Sequence, residues 1–149
     1  NAGFFPEEGK YNRTACTRCY TQYSPAFAAS VRWRCPEDRG LIKKGVADRA
    51  AELSDAPPRE RPPYLHIIPL PEIIRRVTGC SSVATRACTR LYDRFVTPDT
   101  DEITVLTTTP VADLAVIDRE VAAAIGSFRT GRVRLSPGGG GRFGSFSFY

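Results

Sequence analysis

Apolar residues in this chain recur mostly at helical spacing, in stretches broken by Gly and Pro. Val46, Ala50 and Leu53 predict a short helix from Lys44 to Leu53. Leu65-His66-Ile67-Ile68 predicts a short buried strand. Pro71 suits the first turn of a helix running through Val77 and stopped by Gly79. A second helix is expected from Ser82, as N-cap, to Phe95, with Val83, Ala87, Leu91 and Phe95 four residues apart. Ile103, Thr104 and Val105 predict a strand over Glu102 to Thr107. Asp118 caps an expected helix through Phe128, with Val121, Ile125 and Phe128 on one face and Gly131 beyond its end. Arg132 to Leu135 alternates as a half-exposed strand does, and Ser145 to Tyr149 is expected to pair back as the last one. The predicted class is α+β, built from short elements.

Four prolines fall within seven residues, at Pro57, Pro58, Pro62 and Pro63. Such a run favours extended backbone and predicts a linker. It divides the chain into an N-terminal subdomain (1–55), a linker (56–64) and a C-terminal α+β subdomain (65–149).

The length of 149 residues allows one ordinary domain or two small ones and excludes most large enzyme folds. The 42% hydrophobic and 25% charged content is that of a globular protein. No apolar run approaches the roughly 20 residues of a membrane-spanning helix, so no membrane partner is expected. No leader is visible, and the expected location is the cytoplasm. The chain starts with Asn and holds no Met, the expectation being a fragment, a cleaved product or a trimmed chain.

Five Cys is an odd number, which favours metal ligation over a complete disulfide framework. Cys16-x2-Cys19 is followed, fifteen residues on, by Cys35-Pro36-Glu37-Asp38. Two-residue spacing closes a tight knuckle that aims two ligands at one point, and this separation is that of a zinc ribbon. Cys16, Cys19, Cys35 and Asp38 are therefore the candidate ligands of a structural zinc, with a carboxylate in the place of a fourth thiol. The alternatives are a lost metal site or ordinary buried thiols. Cys80 and Cys88 are expected to be small core residues.

The net charge is +5, and with Lys only at positions 10, 43 and 44, 18 of the 21 basic residues are Arg. Arg grips phosphate and stacks on bases, although a GC-rich genome enriches it too. Arg13, Arg18, Arg32, Arg34, Lys43 and Lys44 surround the expected knuckle, and Arg75, Arg76, Arg86 and Arg90 lie on the two middle helices. These ten are the candidate nucleic-acid contacts. Arg86, Arg90 and Arg94 fall four apart and would form a stripe, which solvation alone also explains. Trp33, in the same region, is expected to pack into a small core.

His66, the only His, sits between apolar neighbours and is expected to be structural. The run Pro137–Gly144 carries four consecutive glycines but no Gly-Lys-Ser/Thr, so it is not a Walker loop. It would either let backbone approach a phosphodiester or form a turn. No nucleophile–base–orienter set and no diagnostic carboxylate pair is visible, so no catalytic residue is assigned.

The residues Gly3-Phe4-Phe5-Pro6-Glu7-Glu8-Gly9-Lys10-Tyr11, the run Arg61-Pro62-Pro63-Tyr64-Leu65-His66-Ile67-Ile68-Pro69-Leu70-Pro71-Glu72-Ile73-Ile74 and the closing Pro137-Gly138 to Gly144 resemble the post-catalytic region of the endonuclease Q family. That family is archaeal and partly bacterial. The resemblance implies a zinc-binding domain and a C-terminal domain, which in the family follow an N-terminal metal-dependent phosphoesterase domain. It also implies DNA cleavage beside deaminated bases such as deoxyuridine and deoxyinosine, and at abasic sites. On this reading the chain binds DNA without cutting it. Catalytic metals belong to the N-terminal domain, which acts in cis upstream or as a separate chain. The alternatives are an autonomous zinc-ribbon module for nucleic acid and a protein–protein assembly module.

Overall fold

The computed structural model describes residues 2–57, 60 and 62–149. The strands are β1 (Ala2–Phe4), β2 (Ala15–Cys16), β3 (Ile42–Lys43), β4 (Leu65–Ile67), β5 (Val133–Ser136) and β6 (Ser145–Phe148). The helices are α1 (Pro25–Ser30), α2 (Val46–Leu53), α3 (Leu70–Thr78), α4 (Arg86–Phe95), α5 (Glu102–Thr107), α6 (Val111–Ile117) and α7 (Arg119–Arg129). The strands pair only two by two: β1 with β4, β2 with β3, and β5 with β6. The class is α+β.

Contacts divide the described residues into two compact units. One holds Phe5–Leu65 and Leu135–Ser147; the other holds Ala2–Phe4, His66–Arg134 and Phe148–Tyr149. The division therefore departs from the linear boundary expected at the proline run. The glycine-rich tail belongs with the first unit because its backbone is tied there. Gly138 N–H donates to the Glu7 carbonyl, Arg13 N–H to Gly138, Gly141 N–H to Lys10 and Gly144 N–H to Glu8. Within the proline run, Pro58, Arg59 and Arg61 lie outside the described residues, as does the Arg61 end of the family-like run.

In the first unit β2 and β3 run antiparallel, with Ala15 opposite Lys43 and Cys16 opposite Ile42. Cys16, Ala28, Cys35 and Ile42 form a small buried cluster, covered by Tyr23, Val31 and Trp33. Trp33 is thus a core-covering residue, as expected. Thr14 is fully buried and joins three segments. Its N–H donates to Asp48 Oδ2 at 2.8 Å, its hydroxyl accepts from Gly45 N–H at 2.9 Å, and its carbonyl accepts from Tyr23 N–H.

The second unit is helical. α3 packs on α4 and α7, α6 on α7 and α4, and α5 on α7. Its core includes Ile68, Leu70, Ile73, Ile74, Leu106, Val121 and Ile125, all fully buried. α3 begins with Pro in its first turn and ends at Gly79 in the left-handed conformation (φ 71°), as its sequence predicts.

Three expectations fail here. Glu102–Thr107 is a helix, not a strand: Asp101 caps it by accepting from Thr104 N–H at 2.9 Å, and its buried pair Val105–Leu106 is adjacent rather than alternating. α4 starts at Arg86 behind the N-cap Thr85, not at Ser82, whose hydroxyl closes a local turn on Ala84 N–H. Its buried face includes Cys88 and Phe95 (with Leu91 half-buried), while Ala87 is exposed. α6 has no counterpart among the predicted elements, because only Leu114 of its seven residues is buried.

Candidate metal centre and nucleic-acid interface

β2 delivers Cys16 into the first unit, and the chain then turns back so that Cys16 N–H reaches the Thr21 carbonyl at 3.0 Å. Arg18 N–H points into the turn and donates to Cys16 Sγ at 3.3 Å. A second turn follows the same plan. Cys35 N–H donates to Gly40, Arg39 N–H donates back to Cys35, and Gly40 N–H donates to Asp38 Oδ1 at 2.7 Å. The residues that follow Cys19 and Asp38 both have left-handed backbone, Tyr20 at φ 62° and Arg39 at φ 57°. That conformation is uncommon outside Gly and costs on the order of 1 kcal/mol or more. Its use at equivalent positions makes Cys16–Cys19 and Cys35–Asp38 two matching knuckles, with Asp38 in the place of the last ligand.

The candidate ligand atoms of Cys16, Cys19, Cys35 and Asp38 all lie within 4.8 Å of one another, the one such group among the described residues. Cys19 and Cys35 sulfurs are 3.6 Å apart, and Cys16 Sγ is 3.3 Å from Asp38 Oδ1. A tetrahedral zinc with Zn–S near 2.3 Å has ligand–ligand edges of about 3.8 Å, slightly shorter to an oxygen. The four donors fit that frame. Room for the ring of ligands is kept by Gly40, where a Cβ would stand 2.7 Å from Cys16 Sγ and 2.8 Å from Asp38 Oδ1.

The electrostatics differ from ligand to ligand. Burial pushes the Cys16 thiol up to about 11. Burial would raise Cys35 as well, but hydrogen bonds from the Tyr23 hydroxyl and from the N–H groups of Asp38 and Glu37 hold it below its ordinary value. The Tyr23 hydroxyl lies 3.1 Å from Cys35 Sγ, and that bond, followed by burial, pushes the tyrosine up. The Gly40 N–H keeps the Asp38 carboxyl below the usual carboxylate range. Arg18, whose guanidinium donates to the Asp38 carbonyl at 3.3 Å, supplies positive charge beside the donors. Cys80 and Cys88 stand outside this group; Cys88 is a buried core residue and Cys80 is half-buried.

Spacing alone did not reveal Tyr23 or Gly40. Tyr23 carries no motif signal, and its role follows from stacking on Phe27 at 5.2 Å between centroids, which directs its hydroxyl to Cys35. Gly40 had a legible signal, since it follows the second knuckle by two residues.

The basic candidates separate into engaged and open groups. Lys44 Nζ is bound to Glu52 at 2.8 Å and lies over the Trp33 ring at 5.2 Å. Arg75 is paired with Glu72 at 2.8 Å. Arg13 makes a longer contact of 3.4 Å to Asp48. Arg32, Arg34, Arg76, Arg86 and Arg90 are exposed, and their guanidinium groups make no hydrogen bond among the described residues. Lys43 is exposed, with its Nζ 4.7 Å from the Tyr11 ring centre. In the first unit the candidates are Arg13, Arg18, Arg32, Arg34, Lys43 and Lys44; in the second they are Arg75, Arg76, Arg86 and Arg90. Arg94, third in the α4 stripe, donates instead to the Ile117 carbonyl at 2.9 Å. His66, half-buried on β4, holds Nδ1 within 3.4 Å of the Phe4 carbonyl.

The glycine tail is built against the knuckle. Gly140 (φ 65°) passes so close to the Cys16 carbonyl that a Cβ there would collide with it. Close approach to β2 therefore explains the small residue at this position.

The fold recurs in the lesion-specific endonuclease PfuEndoQ from Pyrococcus furiosus. The TM-score is 0.90 and the identity 43%, over 99% of this chain and 37% of that one. The chain matches the C-terminal part of endonuclease Q. A second structure, endonuclease Q in complex with a 27-mer duplex substrate bearing an abasic lesion at the active site, gives a TM-score of 0.90 and 42% identity over 100% of this chain and 38% of that one. The family model described as the MJ0043 C-terminal domain matches residues 69–132. Protein MJ0043 of Methanocaldococcus jannaschii is 40% identical over 99% of this chain, and protein YqxK of Bacillus subtilis is 36% identical over 97%. The chain spans 19% of the first relative, 34% of the second and little more than a third of the endonuclease Q structures. No described helix is long and apolar enough to cross a membrane.

Proposed function

We propose that this chain is the DNA-gripping part of a repair endonuclease that cuts at deaminated bases and abasic sites, folded around one structural zinc. The observation that carries this reading is the match of essentially this whole chain, at TM-score 0.90, to little more than a third of endonuclease Q, one structure of which is a complex with a lesion-bearing duplex. Strand scission is assigned to a metal-dependent phosphoesterase domain, joined in cis or supplied as a separate chain. Enzymes that act on single bases usually extrude them from the stack, and a second module that braces the distorted strand lowers the cost of doing so.

Cys16, Cys19, Cys35 and Asp38 would hold the zinc. A closed set of four protein donors leaves no place for substrate or water, so the ion contributes folding free energy and fixes the two knuckles. The open arginines on each unit, Arg32 and Arg34 on the first and Arg86 and Arg90 on the second, would contact phosphates. Each phosphate contact releases condensed counterions and steepens the salt dependence of binding by about one unit of slope.

Binding of the zinc-loaded chain to a duplex of about 27 base pairs, measured over a range of salt concentrations, tests the proposal. A steep decline in affinity with salt is expected, and Arg86→Gln with Arg90→Gln should reduce the slope by about two. Binding that is absent at low salt would refute it. A second reading, an autonomous nucleic-acid module, draws on the recurrence of the same segment in relatives of which it forms very different shares. Equal affinity for intact and lesion-bearing DNA would favour that reading.

A further inference from the structure

We infer that the first unit carries a stacking platform for unpaired DNA bases, formed by Tyr11, Tyr20 and Phe143 with Lys10, Lys43 and Arg142. This rests on the DNA-binding reading above and specifies the surface and the strand form it takes.

Three large aromatic side chains are exposed here, Tyr11 at 36%, Tyr20 at 41% and Phe143 at 71%. Leaving so much aromatic surface in water forgoes burial that each side chain would otherwise supply. Each ring also has a cation at its face. Lys10 Nζ lies 5.4 Å from the Tyr11 ring centre and 5.8 Å from that of Phe143, so one ammonium bridges two rings. Lys43 adds a second cation to Tyr11 at 4.7 Å, and the Arg142 guanidinium lies 5.9 Å from the Tyr20 ring centre. The rings and cations form one continuous patch: Tyr20, Arg142 and Phe143 together line a polar surface cavity of about 230 Å³.

The patch comes from four places in the chain, and the glycine tail assembles it. Gly141 N–H donates to the Lys10 carbonyl at 2.9 Å, and Gly139 and Arg142 exchange backbone hydrogen bonds at 3.0 Å. These hold Arg142-Phe143 beside Lys10-Tyr11. Exposed aromatic faces flanked by cations are the chemistry that binds single strands: the rings stack on bases whatever their sequence, and the cations track the phosphates. In a duplex the base faces are already stacked and unavailable. The occupant is therefore a stretch of unpaired nucleotides, such as a lesion exposes beside itself.

The test compares the full 149-residue chain with Phe143→Ala and with Tyr20→Leu, using a fluorescein-labelled single-stranded oligothymidylate and a fully paired duplex. Each variant should lose roughly 5- to 50-fold in affinity for the single strand while binding the duplex as before. A photocrosslink from 5-iododeoxyuridine in the single strand to Phe143, Tyr20 or Tyr11 is the second readout, and it does not depend on a variant's folding. Unchanged single-strand affinity in both variants, or crosslinks elsewhere only, would overturn the inference with duplex binding intact. Failure of the unaltered chain to bind either DNA would overturn the DNA-binding reading itself.

Discussion

Asp38 is the residue on which the metal assignment turns. It stands at the second position of a knuckle that repeats the Cys16–Cys19 turn, down to the left-handed residue after it. The Gly40 N–H holds its carboxyl below the usual carboxylate range, which favours the ionised form that can ligate. Asp38→Ala should therefore lower zinc affinity at least tenfold, whereas Asp38→Cys should raise it, in chelator competition. Equal affinity in all three proteins would remove Asp38 from the site. The thiols set a pH dependence whose sign follows from their protonation. Metal binds the thiolate, and the Cys16 thiol titrates near 11 in the absence of metal. Loading must then displace its proton at neutral pH, so zinc affinity falls as pH falls and rises toward 11. Cys35 is held below its ordinary value by hydrogen bonds that favour its thiolate. A zinc affinity unchanged between pH 6 and pH 8 would contradict this displacement of protons by the metal.

At the scale of elements, Glu102 shows why one strand prediction failed. Four β-branched residues within Glu102–Thr107 suggest a strand, but the decisive groups are side chains that bind elsewhere. Asp101 caps the helix, Glu102 Oε1 accepts from Leu70 N–H at the start of α3 (2.8 Å), and Glu102 Oε2 accepts from the Tyr92 hydroxyl on α4 (3.0 Å). At the other end of α5, Arg129 donates to the Val105 and Leu106 carbonyls at 2.8 and 3.0 Å, satisfying groups a helix end leaves open. Such partners are remote in sequence, so no local period reveals them. Glu102→Ala should cost about 1–3 kcal/mol in urea unfolding, because it leaves two donors on neighbouring helices unpaired. A change under about 0.5 kcal/mol would show that water replaces the carboxylate without loss. The helices that were legible, α3 and α7, announce themselves through local signals: Pro71 and Gly79 at the ends of one, Asp118 ahead of the other.

At the scale of the whole molecule, the linear division expected at the proline run differs from the two compact units, because the C-terminal tail joins the first of them. The tail lies more than a hundred residues beyond the Cys16–Cys19 knuckle it packs on, and nothing in its glycines states where they dock. The reason appears only in space, where Gly140 crosses the Cys16 carbonyl too closely for a Cβ. The same distance hid the aromatic patch, since Phe143 and Lys10 meet only once the tail has docked. The clustering of Cys16, Cys19, Cys35 and Asp38, by contrast, was legible because each knuckle is local.

Each unit has its own core, and the only Trp, Trp33, covers the buried cluster that holds Cys16 and Cys35, while most helical residues lie in the other unit. A chelator should therefore shift Trp33 emission and leave most of the far-ultraviolet helical signal in place. Simultaneous loss of both signals would mean that the second unit does not hold its fold without the zinc.

Fluorescence anisotropy of the zinc-loaded chain with two matched 27-mer duplexes, one intact and one with a single abasic site, tests the central claim most directly. Measured at low and moderate salt, both duplexes should bind with salt-sensitive affinity. The abasic duplex should bind more tightly, because it exposes bases that the aromatic patch can stack on. Absence of binding to either duplex at low salt would contradict the account.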